Sequence, residues 1–334
     1  MSRDWCSSPT RGRARTDLSS PEMANPFVLD FSDPCAGDQS LTGGKGSHLA
    51  ELTAAGFPVP RGLVLTTAAY RRFVSEGPGG EEQEPRVGDE PIGGASRPEV
   101  LRERLSRDEL PPDLAAAVLE ALRAWGHVGP LAVRSSAVSE DSAASSFAGL
   151  YQSYLNVRGE RDLLARVRDC FASLWSEPAV RYRDSRRLDH SREAMAVVVM
   201  EMVEACSAGV AFTVHPVTGA RDQIVINSAW GLGEAVVAGV VTPDMFVVDK
   251  SSLAVLERQV FDKQFAIGPD AVGGTARHPL DDAISGAPSL SDQQVVDVAR
   301  LAREVEEHYG ASQDIEWACA DRLYLLQARP VTMP

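Results

Sequence analysis

Four clusters in this sequence combine residue types and spacings that could do chemistry. Gly43-Gly44-Lys45-Gly46 opens a helical pattern. Small residues there let backbone N–H groups close on an anion, the helix N-terminus favours negative charge, and a lysine suits phosphate. A solvated glycine turn with a surface lysine is the competing reading, because a short glycine loop is weak evidence. The second cluster is Val133-Arg134-Ser135-Ser136-Ala137-Val138-Ser139-Glu140-Asp141, leading into Ser145-Ser146-Phe147-Ala148-Gly149. An arginine at a strand end can fork onto phosphate oxygens while hydroxyl and small residues close over them. A polar loop with a surface arginine reads the same way.

The third cluster is a hairpin near the C-terminus, with Asp314-Ile315-Glu316-Trp317 on one arm and Leu326-Gln327-Ala328-Arg329 on the other. A two-residue turn at Asp321-Arg322 predicts Glu316 opposite Gln327 and Asp314 opposite Arg329 on one face. Ile315, Trp317, Tyr324 and Leu326 would then pack on the other. A three-residue loop would throw Glu316 and Gln327 onto opposite faces. Carboxylate and amide oxygens suit Mg²⁺, which keeps waters and substrate phosphates as further ligands; an exposed Asp–Arg ion pair is the alternative. The fourth cluster, Trp230-Gly231-Leu232-Gly233-Glu234, lacks the third glycine of a dinucleotide fingerprint, and its glycines mark a close approach of backbone to something.

The elements that must position these clusters follow from periodicity. A short helix is expected at residues 47–52, stopped by Gly56-Phe57-Pro58, then a strand end at Val64-Leu65 and a helix around Tyr70 and Phe73. Leu114, Val118, Leu119 and Leu122 predict a helix over 111–125, followed by a strand at 131–133. A helix over 161–175 precedes a β-branched strand at 196–200, with further strands at 210–213, 224–226 and 246–248. Val295, Val296, Val298, Leu301 and Val305 predict an amphipathic helix over 293–308. The pattern is mixed α/β. Residues 1–38 read as a disordered leader and the Gly-, Pro- and Glu-rich stretch 77–98 as a flexible insertion.

Composition narrows the function. The 334 residues are 44% hydrophobic and carry a formal net charge of −14, which repels nucleic acid and anionic lipid and favours small molecules or proteins as partners. The sequence holds no apolar run of the ~18 residues that would cross a bilayer and no secretory signal, so a cytoplasmic location is expected. The five widely spaced cysteines fit reduced thiols better than disulfides or a zinc site.

Taken in order, the segments GGKGSHLAEL, LAVRSSAVSEDSAASSFAGL, SAGVAFTVHPVTGARDQIVINSAWGLGEAVVAG and DIEWACADRLYLLQARPVT resemble the ATP-binding domain of the pyruvate phosphate dikinase, phosphoenolpyruvate synthase and rifampin phosphotransferase family. The resemblance spans about residues 41–332. It implies an ATP-grasp fold of α+β class, with ATP between an N-terminal lobe (39–195) and a C-terminal lobe (196–334) that carries the metal-binding hairpin. Carried over by position, Lys45 and Arg134 hold phosphates, Glu316 and Gln327 ligate Mg²⁺, and Arg329 contacts the transferring phosphoryl group. Residues 145–149, with Ser146 and Gly149, form the covering loop. Glu234 lies behind or beside the phosphates, and Glu201, Met202 and Val203 present backbone groups to adenine. Where family members often read Gln-Arg-Met on that strand, this chain has Met200-Glu201-Met202.

The family's enzymes continue into a substrate domain and a domain whose histidine carries the phosphoryl group, so a separate phosphohistidine-carrier and substrate-domain protein is the expected partner. His48, although it follows a glycine-rich stretch, belongs by position to the ATP site rather than to that carrier signature. The implied activity is phosphoryl or pyrophosphoryl transfer from Mg·ATP to a carrier histidine. The alternatives are a direct small-molecule kinase or ligase, and a catalytically silent nucleotide-binding regulatory module.

Overall fold

The computed structural model describes residues 25–75, 97–139 and 151–331. In chain order the elements are β1 (Val28–Asp30), α1 (Gln39–Ala54), β2 (Gly62–Leu65), α2 (Thr67–Ser75), α3 (Arg97–Arg107), α4 (Pro112–Trp125), β3 (Leu131–Ala137), β4 (Ser153–Val157), α5 (Gly159–Ser173), α6 (Glu177–Arg186) and β5 (Met195–Glu201). There follow β6 (Ser207–Phe212), β7 (Gln223–Trp230), α7 (Glu234–Val237), β8 (Asp244–Asp249), β9 (Val255–Gln259), β10 (Phe265–Pro269), β11 (Thr275–Pro279), α8 (Asp282–Ser285), α9 (Asp292–Tyr309), β12 (Gln313–Cys319) and β13 (Leu323–Pro330).

Two antiparallel sheets organise most of these elements, one in the order β1-β2-β5-β3-β4 and the other in the order β13-β12-β6-β7-β8-β9, while β10 and β11 form a separate antiparallel pair. Alternation along the strands of the first sheet gives each face its own core. Leu63, Val133, Val197 and Val199 pack with residues of α2, α4 and α5. Val64, Ala132, Val198 and Met200 face the other way, against Leu49 of α1. Burial on both faces explains the unbroken apolar run of β5, which alternation alone would not predict. In the second sheet Ile315, Trp317, Ile226 and Phe246 pack against Val295, Val298, Leu301 and Val305 of α9. That helix starts on a capping box of Ser291 and Gln294 and ends at Gly310 in the left-handed conformation. Helix α1 serves both units, since Leu52 near its end joins the α9 core.

The structure differs from the sequence expectation in two boundaries. Residues 28–30, read as leader, form β1 antiparallel to β2, with Leu29 buried; three residues are too short a run to show periodicity. Strand β5 pairs with β2 and β3, so residues 196–201 belong to the first sheet rather than to the second lobe. Residues 31–38 of the proposed leader are ordered as well, with a 3-10 turn at Pro34–Gly37, whereas residues 1–24 and nearly all of the 77–98 insertion lie outside the described residues. Among the described residues, no helix is long and apolar enough to cross a membrane.

Candidate functional site

A cavity of about 390 Å³ opens between the two sheets, within the usual range for small-molecule sites. One end is apolar. Met200 and Met202 of the β5 strand and its continuation line it together with Leu155, Val203, Ala205 and Leu232. Glu201 also borders the cavity, but its carboxylate lies 3.6 Å from Nδ1 of His127, on the strand face opposite Met200 and Met202. Strand alternation thus turns the Glu201 side chain toward His127 and leaves its main chain beside the cavity. Glu234 starts α7 on the cavity wall, where Oε2 accepts a hydrogen bond from the Thr275 hydroxyl at 2.9 Å.

The polar end brings three of the expected residues into contact. Nη2 of Arg134 donates to Glu316 Oε2 at 2.5 Å and to Gln327 Oε1 at 3.0 Å, while Nη1 donates to the Leu326 carbonyl at 3.1 Å. Arg134 reaches from β3 of the first sheet to the β12–β13 hairpin of the second. Burial pushes the Glu316 carboxyl up, but the charge and hydrogen bond of Arg134 outweigh this, with the charges of Lys45 and Arg329 behind them, and hold it below the usual glutamate range. One cationic group thus touches both oxygens nominated as metal ligands. Two hard oxygens converging on a single positive group form a donor set that fits Mg²⁺.

A second cavity, of about 320 Å³, shares Glu316 with the first and is also lined by Gln327, Asp314, Arg329, Phe212 and Asn227. Arg329 is held there by Asp314, with Nε and Nη2 donating to Oδ2 at 2.8 and 2.7 Å. Burial pushes the Asp314 carboxyl up; Arg329 pulls it back and Glu316 pushes it further, and the net position is above the usual aspartate range.

The hairpin reaches this arrangement by a route other than the expected one. Its turn has three residues, with Cys319 paired to Leu323. A bulge then shifts the register between Glu316 and Trp317, so Glu316 faces Gln327 and Asp314 faces Arg329 after all. The extra residue is Leu326. Leu325 takes the core position, whereas Leu326, expected in the core, lines the inter-sheet cavity and offers its carbonyl to Arg134.

Lys45 sits on α1, just past a break at Gly43, whose φ of 68° and ψ of 178° are non-helical. A Cβ on Gly43 would lie 2.1 Å from the Ser136 carbonyl oxygen, so only glycine allows α1 to dock on β3. The Ser136 hydroxyl fastens the contact, donating to the Thr42 carbonyl at 2.7 Å and accepting from the Gly46 N–H at 3.0 Å. At Gly231 the expected close approach is to the protein itself, because a Cβ there would meet the Ile267 carbonyl oxygen at 2.2 Å. Ser146 and Gly149 of the proposed covering loop lie outside the described residues.

Sequence reasoning put Asp314 opposite Arg329, Ser136 in the second cluster and Met200 on the adenine strand without giving any of the three a role of its own, and it did not single out Leu155. Strand alternation with Arg134 could have indicated Ser136, and alternation with Met202 could have indicated Met200. Leu155 carries no such signal.

The family model for the pyruvate phosphate dikinase AMP/ATP-binding domain matches residues 39–334. The phosphoenolpyruvate synthase of Aeropyrum pernix is 42% identical, in an alignment that covers 88% of this chain and 41% of that protein. A prodigiosin synthesizing transferase, PigC, of Serratia marcescens is 40% identical, over 89% of this chain and 32% of its own length. A rifampicin phosphotransferase of a Streptomyces species is 39% identical, over 93% of this chain and 36% of its own length. The chain therefore spans less than half of each of these relatives.

Proposed function

We propose a function from one premise: this chain belongs to the family of the pyruvate phosphate dikinase AMP/ATP-binding domain. It binds Mg·ATP in the cleft between its two sheets, in the manner of an ATP-grasp domain, and delivers a phosphoryl or pyrophosphoryl group to a histidine on a carrier domain outside this sequence. The observation that carries this reading is the meeting of Arg134, Glu316 and Gln327 at one end of a cavity whose other end is apolar. Adenine would lie against Met200 and Met202 with the main chain of residues 201–203 at its edge, and the phosphates would extend toward Arg134 and Lys45.

Glu316 and Gln327 would hold the Mg²⁺, which when bound neutralises phosphate charge and polarises the transferred group. The protein's own contribution is positioning and electrostatics. Lys45 and Arg134 bind phosphate oxygens. Arg329, kept in place by Asp314, faces the second cavity, where an incoming histidine would meet the transferred group, and its charge stabilises that group as it leaves ATP. The three relatives are named as a synthase, a transferase and a phosphotransferase, which supports group transfer over a silent regulatory module.

The test uses β- and γ-labelled ATP with this chain and a carrier-histidine domain from a phosphoenolpyruvate synthase relative. Acid-labile label should appear on the carrier only when the chain is present, and none on the chain itself. Label on the chain that disappears in His48→Ala would overturn the reading. ADP formation with a small-molecule acceptor and no carrier would point instead to a direct kinase.

A further inference from the structure

Arg134 occupies the position that the metal reading assigns to a cation. Its guanidinium donates to Glu316 Oε2, to Gln327 Oε1 and to the Leu326 carbonyl, all on the hairpin of the opposite sheet, and its side chain is only 12% exposed. An arginine keeps its charge in a protein, so this group cannot yield its place by losing a proton. A divalent ion arriving at Glu316 and Gln327 would meet a fixed positive charge in hydrogen-bond contact with both oxygens, and the two cations would repel strongly in so enclosed a place. The guanidinium must swing away first. It then needs other anionic oxygens, and its planar fork suits phosphate as well as carboxylate.

We propose that Arg134 is a built-in surrogate for the metal, which bars divalent cations from Glu316 and Gln327 until nucleotide phosphates draw its guanidinium off. The inference rests on the reading of Glu316 and Gln327 as the metal ligands. It adds an order of events that the reading alone does not contain. Without nucleotide, Arg134 ties β3 to the β12–β13 hairpin across the cleft, and free metal is excluded. With nucleotide, the same side chain changes partners, so that metal and phosphate binding become one coupled exchange. The β13 bulge takes part, because the carbonyl it sets free is that of Leu326, the third acceptor for Arg134.

Mn²⁺ is the probe, followed by electron paramagnetic resonance of the free ion, with and without a non-hydrolysable ATP analogue. The wild-type chain should bind Mn²⁺ weakly alone and tightly with the analogue. Arg134→Met should bind Mn²⁺ without nucleotide at least about tenfold more tightly than wild type, and adding Glu316→Gln to that variant should abolish the gain. Arg134→Gln, which is neutral but can still donate to Glu316, gives the same comparison should the methionine variant fail to fold, as judged by circular dichroism. Equal Mn²⁺ affinity of wild type and the neutral variants without nucleotide, alongside tight wild-type binding with the analogue, would overturn this inference and leave the metal assignment standing. A gain that survives Glu316→Gln would overturn it too, since the ion would be elsewhere. Failure of the wild type to bind Mn²⁺ even with the analogue would remove the metal assignment and this inference together.

Discussion

Nδ1 of His48 lies 3.2 Å from the carbonyl oxygen of Ala328, a contact that joins the helix carrying Lys45 to the strand carrying Gln327 and Arg329. With the proton on Nδ1 it is a donor to that carbonyl and sets the spacing between the lysine and the hairpin. His48→Ala should weaken ATP binding by about 0.5 to 1.5 kcal/mol, the worth of one net hydrogen bond, and His48→Asn, which keeps a donor, should recover most of it. Calorimetry in which both variants match wild type would show that the contact does not position the site.

The two faces of β12 should separate stability from binding. Trp317 is fully buried in the α9 core, so Trp317→Ala should destabilise the chain by about 3 to 5 kcal/mol in denaturant unfolding. Glu316→Ala should leave Mg²⁺-dependent nucleotide binding the more damaged property. If Glu316→Ala bound Mg·ATP normally and only melted earlier, the assignment of that face to ligand binding would fail.

The glycine break in α1 can be tested against a control. Gly43→Ala combines a left-handed φ with a 2.1 Å clash on Ser136, and it should cost at least about 1 to 3 kcal/mol while displacing Lys45. Gly37→Ala meets nothing within 4 Å and should be nearly silent. Equal melting temperatures for the two would contradict the docking of α1 on β3.

Acid should act on the hairpin in a defined direction. The Glu316 carboxyl is held low in the fold by Arg134, Lys45 and Arg329 against the effect of burial. Its ionised form therefore contributes stability above the ordinary glutamate pKa of about 4.3, and that contribution is lost as pH falls through the lower folded value. Asp314, pushed up by burial beyond what Arg329 restores, works the other way: its ionisation costs stability, and the cost is relieved as pH falls through its folded value. In metal-free buffer the stability gap between wild type and Glu316→Gln should narrow as pH drops below about 4.3. A gap that stays constant down to the acid transition would mean that Glu316 is not held low.

Much of the fold was legible where a single periodicity governs an element. The α9 stripe from Val295 to Val305 and the β-branched run of β5 both stand where the pattern puts them. Elements were missed where burial is set by partners distant in sequence. Strand β1 is three residues long and is specified by its pairing to β2, and α1 is interrupted at Gly43 by a contact with β3. The hairpin shows the limit most clearly. Polar alternation on β12 and β13 indicated that Glu316 and Gln327 share a face, but a turn of the wrong length and a bulge cancel, and neither can be read from alternation alone. For the site, residue types gave the phosphate and metal candidates and strand pairing gave Asp314 opposite Arg329, whereas the engagement of Arg134 with the hairpin exists only once the two sheets face each other.

We propose that the cleft binds ATP through Lys45 and Arg134, with the metal held by Glu316 and Gln327. This proposal is tested most directly by titrating ATP into the chain in a calorimeter, with and without Mg²⁺. Binding should be saturable and strengthen with Mg²⁺, weaken by about 1.5 to 3 kcal/mol in Lys45→Ala and in Arg134→Ala, and lose its Mg²⁺ dependence in Glu316→Ala/Gln327→Ala. Binding that is indifferent to Mg²⁺ in the wild type, or unchanged across all of these variants, would contradict it.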